Sequence, residues 1–274
     1  QPVVCDGRLF VAAKDSHLVH ALDAQTGNKL WSHVSGGRID SPPTIAASRV
    51  LFGSADGYVT CLRAEDGQLV WRYRVAPADF RTVSFDQIES VWPVHGSVLV
   101  QDDVATVVAG RSMYLDGGLH VCRLDVKTGH LLSEEIMDDR DPEAEGSLQN
   151  HIKGLNMPVA LTDILSCDGE HLYMRSQVMD LAGKRLKLGP AKNGFHHLFT
   201  PYGFTDDSLV HRAYWVYGDG FQGGVGGYGN GKKFPAGRIL VNNDDTVFGY
   251  GRKPEFYRWT SVLDYQLFAA AKPG

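Results

Sequence analysis

The densest group of side chains that could do chemistry lies between residues 81 and 95. Arg81, Asp86, Glu89, Trp92 and His95 fall within fifteen positions there. Glu89 and His95 are the candidate catalytic residues, because a carboxylate and an imidazole within reach of each other can act as a general acid/base pair. Trp92 could stack on a sugar or a planar cofactor, and Arg81 is a candidate ligand-binding residue beside it. The alternative is an ordered connection whose tryptophan packs and whose charges pair.

Two further segments carry candidate ligand-binding residues. The run from 110 to 118 adds Arg111 and Asp116, and Arg38 lies well upstream. Arg38 and Arg111 could together hold an anion or a carboxylated sugar, since a planar guanidinium group forks onto a carboxylate. A structural salt bridge between Arg111 and Asp116 is an equally good interpretation.

Other motifs give weaker evidence for a functional site. The glycine-rich insertion at 218–237 contains the patterns GxGxxG (224–229) and GxxxxGK (226–232), but neither opens a helix after a parallel strand, so we interpret it as a surface loop. The acidic run at 138–146 lacks the spacing of an EF-hand. His196 and His197 are adjacent, and on a strand they would face opposite ways. No metal site is predicted.

Composition bounds the class of protein. The 274 residues are 43% hydrophobic and 22% charged with a formal net charge of -5, which is typical of a soluble globular domain and excludes a general nucleic-acid surface. No apolar stretch approaches the roughly 18 residues of a membrane helix, so no membrane insertion is expected. Four cysteines lie far apart, which predicts scattered buried thiols. The start at Gln1, without an initiator Met or a leader, suggests a processed form or a segment of something longer.

An internal repeat dominates the first half. The segment 18–31 returns 40 positions later as 58–71, and a more divergent copy lies at 119–132. Each copy alternates like a strand, turns at a glycine (Gly27, Gly67 and Gly129) and enters a second strand; in the first two copies this strand carries Trp31 or Trp71. We expect each tryptophan to wedge between neighbouring units.

The repeat predicts a β-propeller. Two more strand-like runs precede each copy, so about 40 residues form one four-stranded antiparallel blade, as in the architecture of WD40 proteins. Fainter runs continue at 164–180, 208–217 and 238–250, and a last run at 265–269 would begin another blade. The expectation is an all-β chain of five or six blades, forming a single domain over residues 1–274.

The segments Ala21–Trp31 and Cys61–Trp71 resemble the repeat of PQQ enzymes. That repeat is shared by quinoprotein dehydrogenases and by non-enzymatic outer-membrane assembly propellers of the BamB type. The resemblance implies a periplasmic or secreted protein and a complete ring of seven or eight blades, the remainder coming from further blades or domains of the same protein or from a partner chain. Quinoprotein enzymes are similar to one another in a vicinal cysteine pair over the quinone and in acidic and amide ligands to Ca²⁺, whereas no two cysteines are adjacent here.

These observations favour a ligand- or partner-binding domain, with a small molecule, a carbohydrate or a protein as the partner and no cofactor. One alternative is an enzyme with its site on the central face, either a quinoprotein-type oxidoreductase using PQQ with calcium or a carbohydrate-active propeller using Glu89 and His95. A second alternative is a protein-assembly scaffold.

Overall fold

The architecture is built almost entirely from antiparallel strands. The structure, a computed structural model, describes residues 2–84, 86–141, 145–151, 160–175, 177–186, 195–200, 215–219, 231–256 and 264–273. Contacts divide the chain into two units, the first comprising Gln1–Asp139, Leu161–Leu165 and Ala182–Lys184 and the second the remainder. The single domain expected from the sequence therefore stays a prediction.

Three complete blades lie in the first unit, and in each the four strands pair in chain order. Their strands are β1 (Pro2–Cys5), β2 (Arg8–Ala13), β3 (Leu18–Asp23) and β4 (Lys29–Val34); β5 (Thr44–Ala46), β6 (Arg49–Gly53), β7 (Tyr58–Arg63) and β8 (Leu69–Arg74); and β11 (Leu99–Gln101), β12 (Val104–Ala109), β13 (Leu119–Asp125) and β14 (Leu131–Met137). Between the second and third blades, β9 (Arg81–Ser84) and β10 (Gln87–Ser90) form a separate two-stranded hairpin.

The outer turn of each blade has the glycine that the sequence predicts. Gly27, Gly67 and Gly129 have φ angles of 73°, 72° and 73°, in the left-handed region that a residue with a Cβ adopts only at a cost. In the first and third blades an aspartate, Asp23 or Asp125, closes the turn by accepting a backbone N–H three residues on.

Each repeat tryptophan reaches the turn of the next blade. The indole Nε1–H of Trp31 donates to the carbonyl of Ala64 at 3.1 Å, and that of Trp71 donates to the carbonyl of Val126 at 2.8 Å. A Cβ on Gly67 would lie 2.6 Å from the Trp31 ring, and one on Gly129 would lie 2.6 Å from the Trp71 ring. The wedging between neighbouring blades expected from the sequence is therefore present, and the turn glycines also make room for it.

Buried side chains form a core between successive blades. Phe10, Ile39, Phe52 and Leu62 pack with Trp31 between the first two blades. A second cluster around Trp71 and Trp92 joins the second blade to the third. The free thiols of Cys61 and Cys122 are buried in this second cluster, as expected, while those of Cys5 and Cys167 are partly exposed.

Shorter sheets follow in the rest of the described chain. Three three-stranded sheets contain β15 (Leu165–Cys167), β16 (Leu172–Met174) and β17 (Gln177–Met179); β18 (His197–Phe199), β19 (Trp215–Gly218) and β20 (Ala236–Gly237); and β21 (Ile239–Asn242), β22 (Thr246–Arg252) and β23 (Tyr265–Ala271). Short 3₁₀ turns occur at Lys14–Ser16, Leu148–His151 and Pro254–Phe256. Among the described residues, the six sheets of three or four strands, together with the β9–β10 hairpin, confirm the all-β class, and the six sheets fit the expected five or six blades.

Three sequence predictions for this part of the chain are either wrong or concern residues that lie wholly or mostly outside the described ranges. The run at 265–269 does not begin a new blade, because β23 pairs along its whole length with β22 and is the third strand of its sheet. The glycine-rich insertion lies mostly outside the described residues, but its last two residues form β20 and pair with β19. The strand expected at 208–212 also lies outside the described residues. None of the described helices is long and apolar enough to cross a membrane.

Candidate functional site

Three segments meet at one end of the first unit's blades. They are the connection from β4 to β5 (35–43), the connection from β8 to β11 (75–98) and the loop from β12 to β13 (110–118). In an antiparallel blade the chain leaves the second and fourth strands at the same end, so strand order alone brings these segments together. They carry every candidate catalytic and ligand-binding residue named from the sequence.

Glu89 is the centre of the site. It lies in β10 and is fully buried, at 0% exposure. Its Oε2 accepts a hydrogen bond from Arg111 Nη2 at 2.7 Å, and its Oε1 lies 2.9 Å from Arg38 Nη1. A buried carboxylate is costly unless it is paired, and two guanidinium groups here supply the pairing. The two arginines expected to hold a ligand anion therefore hold a carboxylate of the protein itself.

Asp40 is the second carboxylate of the site, and sequence reasoning missed it. Arg38 Nε donates to Asp40 Oδ1 at 2.7 Å, and His95 Nδ1 donates to Asp40 Oδ2 at 2.5 Å. Burial alone would raise the pKa of Asp40, but the hydrogen bonds and charges of His95 and Arg38 outweigh it and hold that pKa at about 2. The Lys14 ammonium lies 3.6 Å from the same carboxylate. The alternation Arg38-Ile39-Asp40, in the connection equivalent to that of Glu89, is the signal that could have found it.

The contacts close into a ring. His95 Nε2 lies 3.5 Å from Arg111 Nη1, which completes the circuit Asp40, Arg38, Glu89, Arg111, His95. We call these five residues the Glu89 network. Glu89 and His95 are thus brought into one cluster, but Arg111 lies between them and the partner of His95 is Asp40. Their role as an acid/base pair stays a prediction.

Trp92 connects this network to the neighbouring loop. Its indole is buried, and Nε1–H donates to the backbone carbonyl of Asp116 at 2.8 Å. The Phe80 ring lies 6.0 Å from it, centroid to centroid. Asp116 therefore contributes its carbonyl, and the ion pair of Arg111 is made with Glu89 and not with Asp116.

The remaining candidates lie apart from the network. Arg81 is exposed and pairs with Asp79 at 2.7 Å. Asp86 stands in the turn of the β9–β10 hairpin with φ 60°. His197 is buried, and its ring nitrogens face the carbonyls of Phe195 and Arg175, which takes both away from a metal. Residues 142–144 of the acidic run and the GxGxxG motif lie outside the described residues.

The site does not fit calcium and a quinone. Ca²⁺ takes six to eight oxygen ligands, whereas the neighbours of the Glu89 carboxylate are guanidinium groups that repel a cation. No group of three or more His, Cys, Asp or Glu side chains within the described ranges could hold a metal ion. The Trp92 ring is enclosed by protein and is not an open platform.

Comparisons with known proteins agree with the architecture. The family model described as "Outer membrane protein assembly factor BamB" matches residues 1–158. A quinohemoprotein alcohol dehydrogenase, ADH-IIG, of Pseudomonas putida is 32% identical over 88 residues, 28% of this chain and 12% of that protein. A quinoprotein ethanol dehydrogenase of Pseudomonas aeruginosa is 34% identical over 85 residues, 28% of this chain and 14% of that protein. These matches thus span only about an eighth of the dehydrogenases' length.

Solved structures give the same fold. BamB from Moraxella catarrhalis aligns with a TM-score of 0.53 at 15% identity, covering 93% of this chain and 69% of that one. The quinohemoprotein alcohol dehydrogenase from Comamonas testosteroni aligns with a TM-score of 0.51 at 18% identity, covering 68% of this chain and 34% of that one. The chain has the blade repeat, and Trp31 and Trp71 join successive blades in what we call the tryptophan seam. Since the family model also matches more than half of its length, the chain belongs to the BamB-type family of PQQ-repeat β-propellers.

Proposed function

We propose that the chain is a protein-binding propeller domain of a periplasmic or secreted protein, and that it binds its partner through the exposed face of the β9–β10 hairpin. The observation that carries the proposal is an inverted strand pattern. In this hairpin Glu89 is fully buried, while the apolar side chains Val83 and Ile88 are 75% and 68% exposed. The family's description as an assembly factor supports a protein partner.

The inversion has a physical cost that a partner would remove. Successive side chains of a strand point to opposite faces, and a sheet with one solvated face normally turns its apolar side inward. Val83 and Ile88 are directly opposed across the hairpin and form one apolar face. Contiguous exposed apolar groups are typical of interaction surfaces. Fully burying the two aliphatic side chains would contribute about 3 kcal/mol or more to binding.

The buried side of the hairpin explains how this face is held in place. A two-stranded hairpin is marginally stable by itself. Here the pairs from Glu89 to Arg38 and Arg111 fix β10 to the two adjacent segments, and His17 Nε2 lies 2.8 Å from Gln87 Oε1 near the turn. A surface that is ordered before binding loses less conformational entropy when the partner arrives. The Glu89 network is therefore a support for the binding face.

The occupant we propose is an extended, apolar protein segment. Within the described part of the chain β9 pairs with another strand on one side only, which leaves the backbone groups along its other edge open to a further strand. The corresponding edge of β10 is occupied at Ser90, whose N–H donates to the Ala55 carbonyl and whose carbonyl accepts from Arg111. Addition of a strand supplies backbone hydrogen bonds, and the apolar face supplies side-chain contact.

Crosslinking followed by a binding measurement tests the proposal. A photo-reactive residue at Val83 in the producing cell should capture a discrete protein, which is identified, purified and titrated against the domain. Val83→Thr/Ile88→Thr, which keeps β-propensity, should weaken that binding roughly tenfold or more. Val34→Thr is the matched control, because Val34 is a β-branched residue 70% exposed on an outer strand. Equal affinity of the double variant, or the same adduct from position 34, would contradict the proposal.

The enzyme alternative has a direct assay. Reconstitution with PQQ and Ca²⁺ should give no dye-linked oxidation of alcohols or sugars above the protein-free background, since the site does not fit that cofactor. Turnover by the wild type that Glu89→Gln abolishes in correctly folded protein would instead establish an enzyme and sink a binding-only function.

A further inference from the structure

A second site lies at the opposite end of the same blades, where the β1–β2 turn of the first blade faces the turns of the second. A cavity of about 260 Å³ opens there, lined by three arginines, Arg8, Arg49 and Arg63, and by the apolar side chains of Phe10 and Ile45. We propose that this cavity binds a small organic carboxylate, with the guanidinium groups on its head and the apolar side chains on its body.

Two arginines of the cavity, which carry like charges, face each other across neighbouring strands. Arg49 of β6 and Arg63 of β7 are directly opposed in the strand register, an arrangement that is destabilising in an antiparallel pair. The register-equivalent pairs in the other two blades are Arg8 with Asp23 and Val104 with Asp125. The second blade alone of these three has an arginine where the others have the turn aspartate.

The hydrogen bonds of the turns show that Arg63, which replaces the turn aspartate in the second blade, is paired locally and is not needed for folding. Asp23 and Asp125 each accept hydrogen bonds from the threonine three residues on. In the second blade the acid has moved to that third position, where Asp66 pairs with Arg63. The aspartate and threonine found in the other two blades could also close the turn of the second blade. Folding therefore does not require Arg63 at this position.

The cavity also contains an arginine with an unsatisfied hydrogen-bond donor. Arg8 Nε is buried and has no hydrogen-bond partner, and among the described residues neither Arg8 nor Arg49 forms an ion pair. A buried donor left unpaired is destabilising, and a ligand oxygen would satisfy it. Guanidinium groups bind carboxylates in a planar, two-pronged geometry.

The rim sets the charge of the ligand. Asp6 and Glu65 also line the cavity, and both are exposed to solvent. Their carboxylates repel a polyanion, so a single carboxylate on an apolar body fits better than a phosphate. The site lies away from the hairpin face, so its test neither depends on the proposed function nor decides it.

Fluorine NMR titration with fluorobenzoate, at low ionic strength, tests the inference, with neutral fluorobenzamide as the matched probe. The wild type should bind the carboxylate and not the amide. Arg63→Asp/Asp66→Thr, which reproduces the turn of the other two blades and should fold, should weaken fluorobenzoate binding roughly tenfold to a hundredfold, and so should Arg49→Gln. Arg74→Gln, at an exposed arginine outside the cavity, should leave binding unchanged. Equal binding of the two probes to the wild type, or undiminished binding by the folded double variant, would overturn the inference.

Discussion

Replacing Gly129 by alanine should destabilise the protein far more than the same change at Gly27. The two glycines have the same φ of 73° and occupy the same turn, so the strain of placing a Cβ in the left-handed region, about 1 kcal/mol, is common to both. They differ in what the Cβ would meet. At Gly27 nothing lies within 4 Å, whereas at Gly129 the Trp71 ring lies 2.6 Å away.

The ring at Gly129 has little freedom to move. Trp71 is buried, and its indole is fixed by the hydrogen bond to the Val126 carbonyl. Forcing a methyl group against a well-packed side chain costs about 1–3 kcal/mol. We therefore expect a loss in the free energy of unfolding of about 1 kcal/mol for Gly27→Ala and about 2–4 kcal/mol for Gly129→Ala.

Urea unfolding followed by far-ultraviolet circular dichroism measures both losses, and tryptophan fluorescence reports on the Trp71 contact. The same change at Gly67, where the ring is that of Trp31, provides a repeat of the measurement. Equal losses at Gly27 and Gly129 would refute the reasoning, because the tryptophan contact would then contribute nothing.

Three further results follow from buried ionisable groups. Glu89→Gln should cost about 3 kcal/mol or more in urea unfolding, because the partly buried Arg111 guanidinium loses its counter-charge and the buried Arg38 guanidinium loses its ion pair with Glu89 while keeping that with Asp40. The pKa of Asp40 is lower in the folded protein than in the unfolded chain, so Asp40 contributes stability above about pH 4 that is lost as the pH falls toward 2; the loss of about 2 kcal/mol should be absent in Asp40→Asn. Burial raises the pKa of Cys61 and of Cys122 to about 12, so a thiol reagent at pH 8 should label at most two of the four cysteines until urea is added.

The blades could be predicted from the sequence because their signals are local. The turn glycines and the alternation of the strands lie within one repeat, and the shift of 40 residues relates one repeat to the next. Trp31 and Trp71 indicate where the repeats join. The prediction that the run at 265–269 begins a blade is wrong, because an isolated strand pattern does not say whether the strand opens or closes a sheet.

The site was predictable only in outline. The side-chain chemistry of residues 38, 89, 95 and 111 predicts a site, and antiparallel strand order explains why they meet. Their partners could not be inferred, because the sequence does not say that Glu89 points inward while Ile88 points out. A β-strand has two faces. In β10 the buried face is the one that carries Glu89, because Arg38 and Arg111 lie on that side of the strand.

The tryptophan seam also bears on how such a chain can grow. One repeat carries a ring that fits the blade after it and a glycine that receives the ring of the blade before it. A tandem duplication of the gene segment therefore copies both halves of a matching joint, and the new unit fits its neighbours without any further substitution. Loop segments outside the joint, such as the β9–β10 hairpin, can then diverge in one copy while the scaffold around them stays intact.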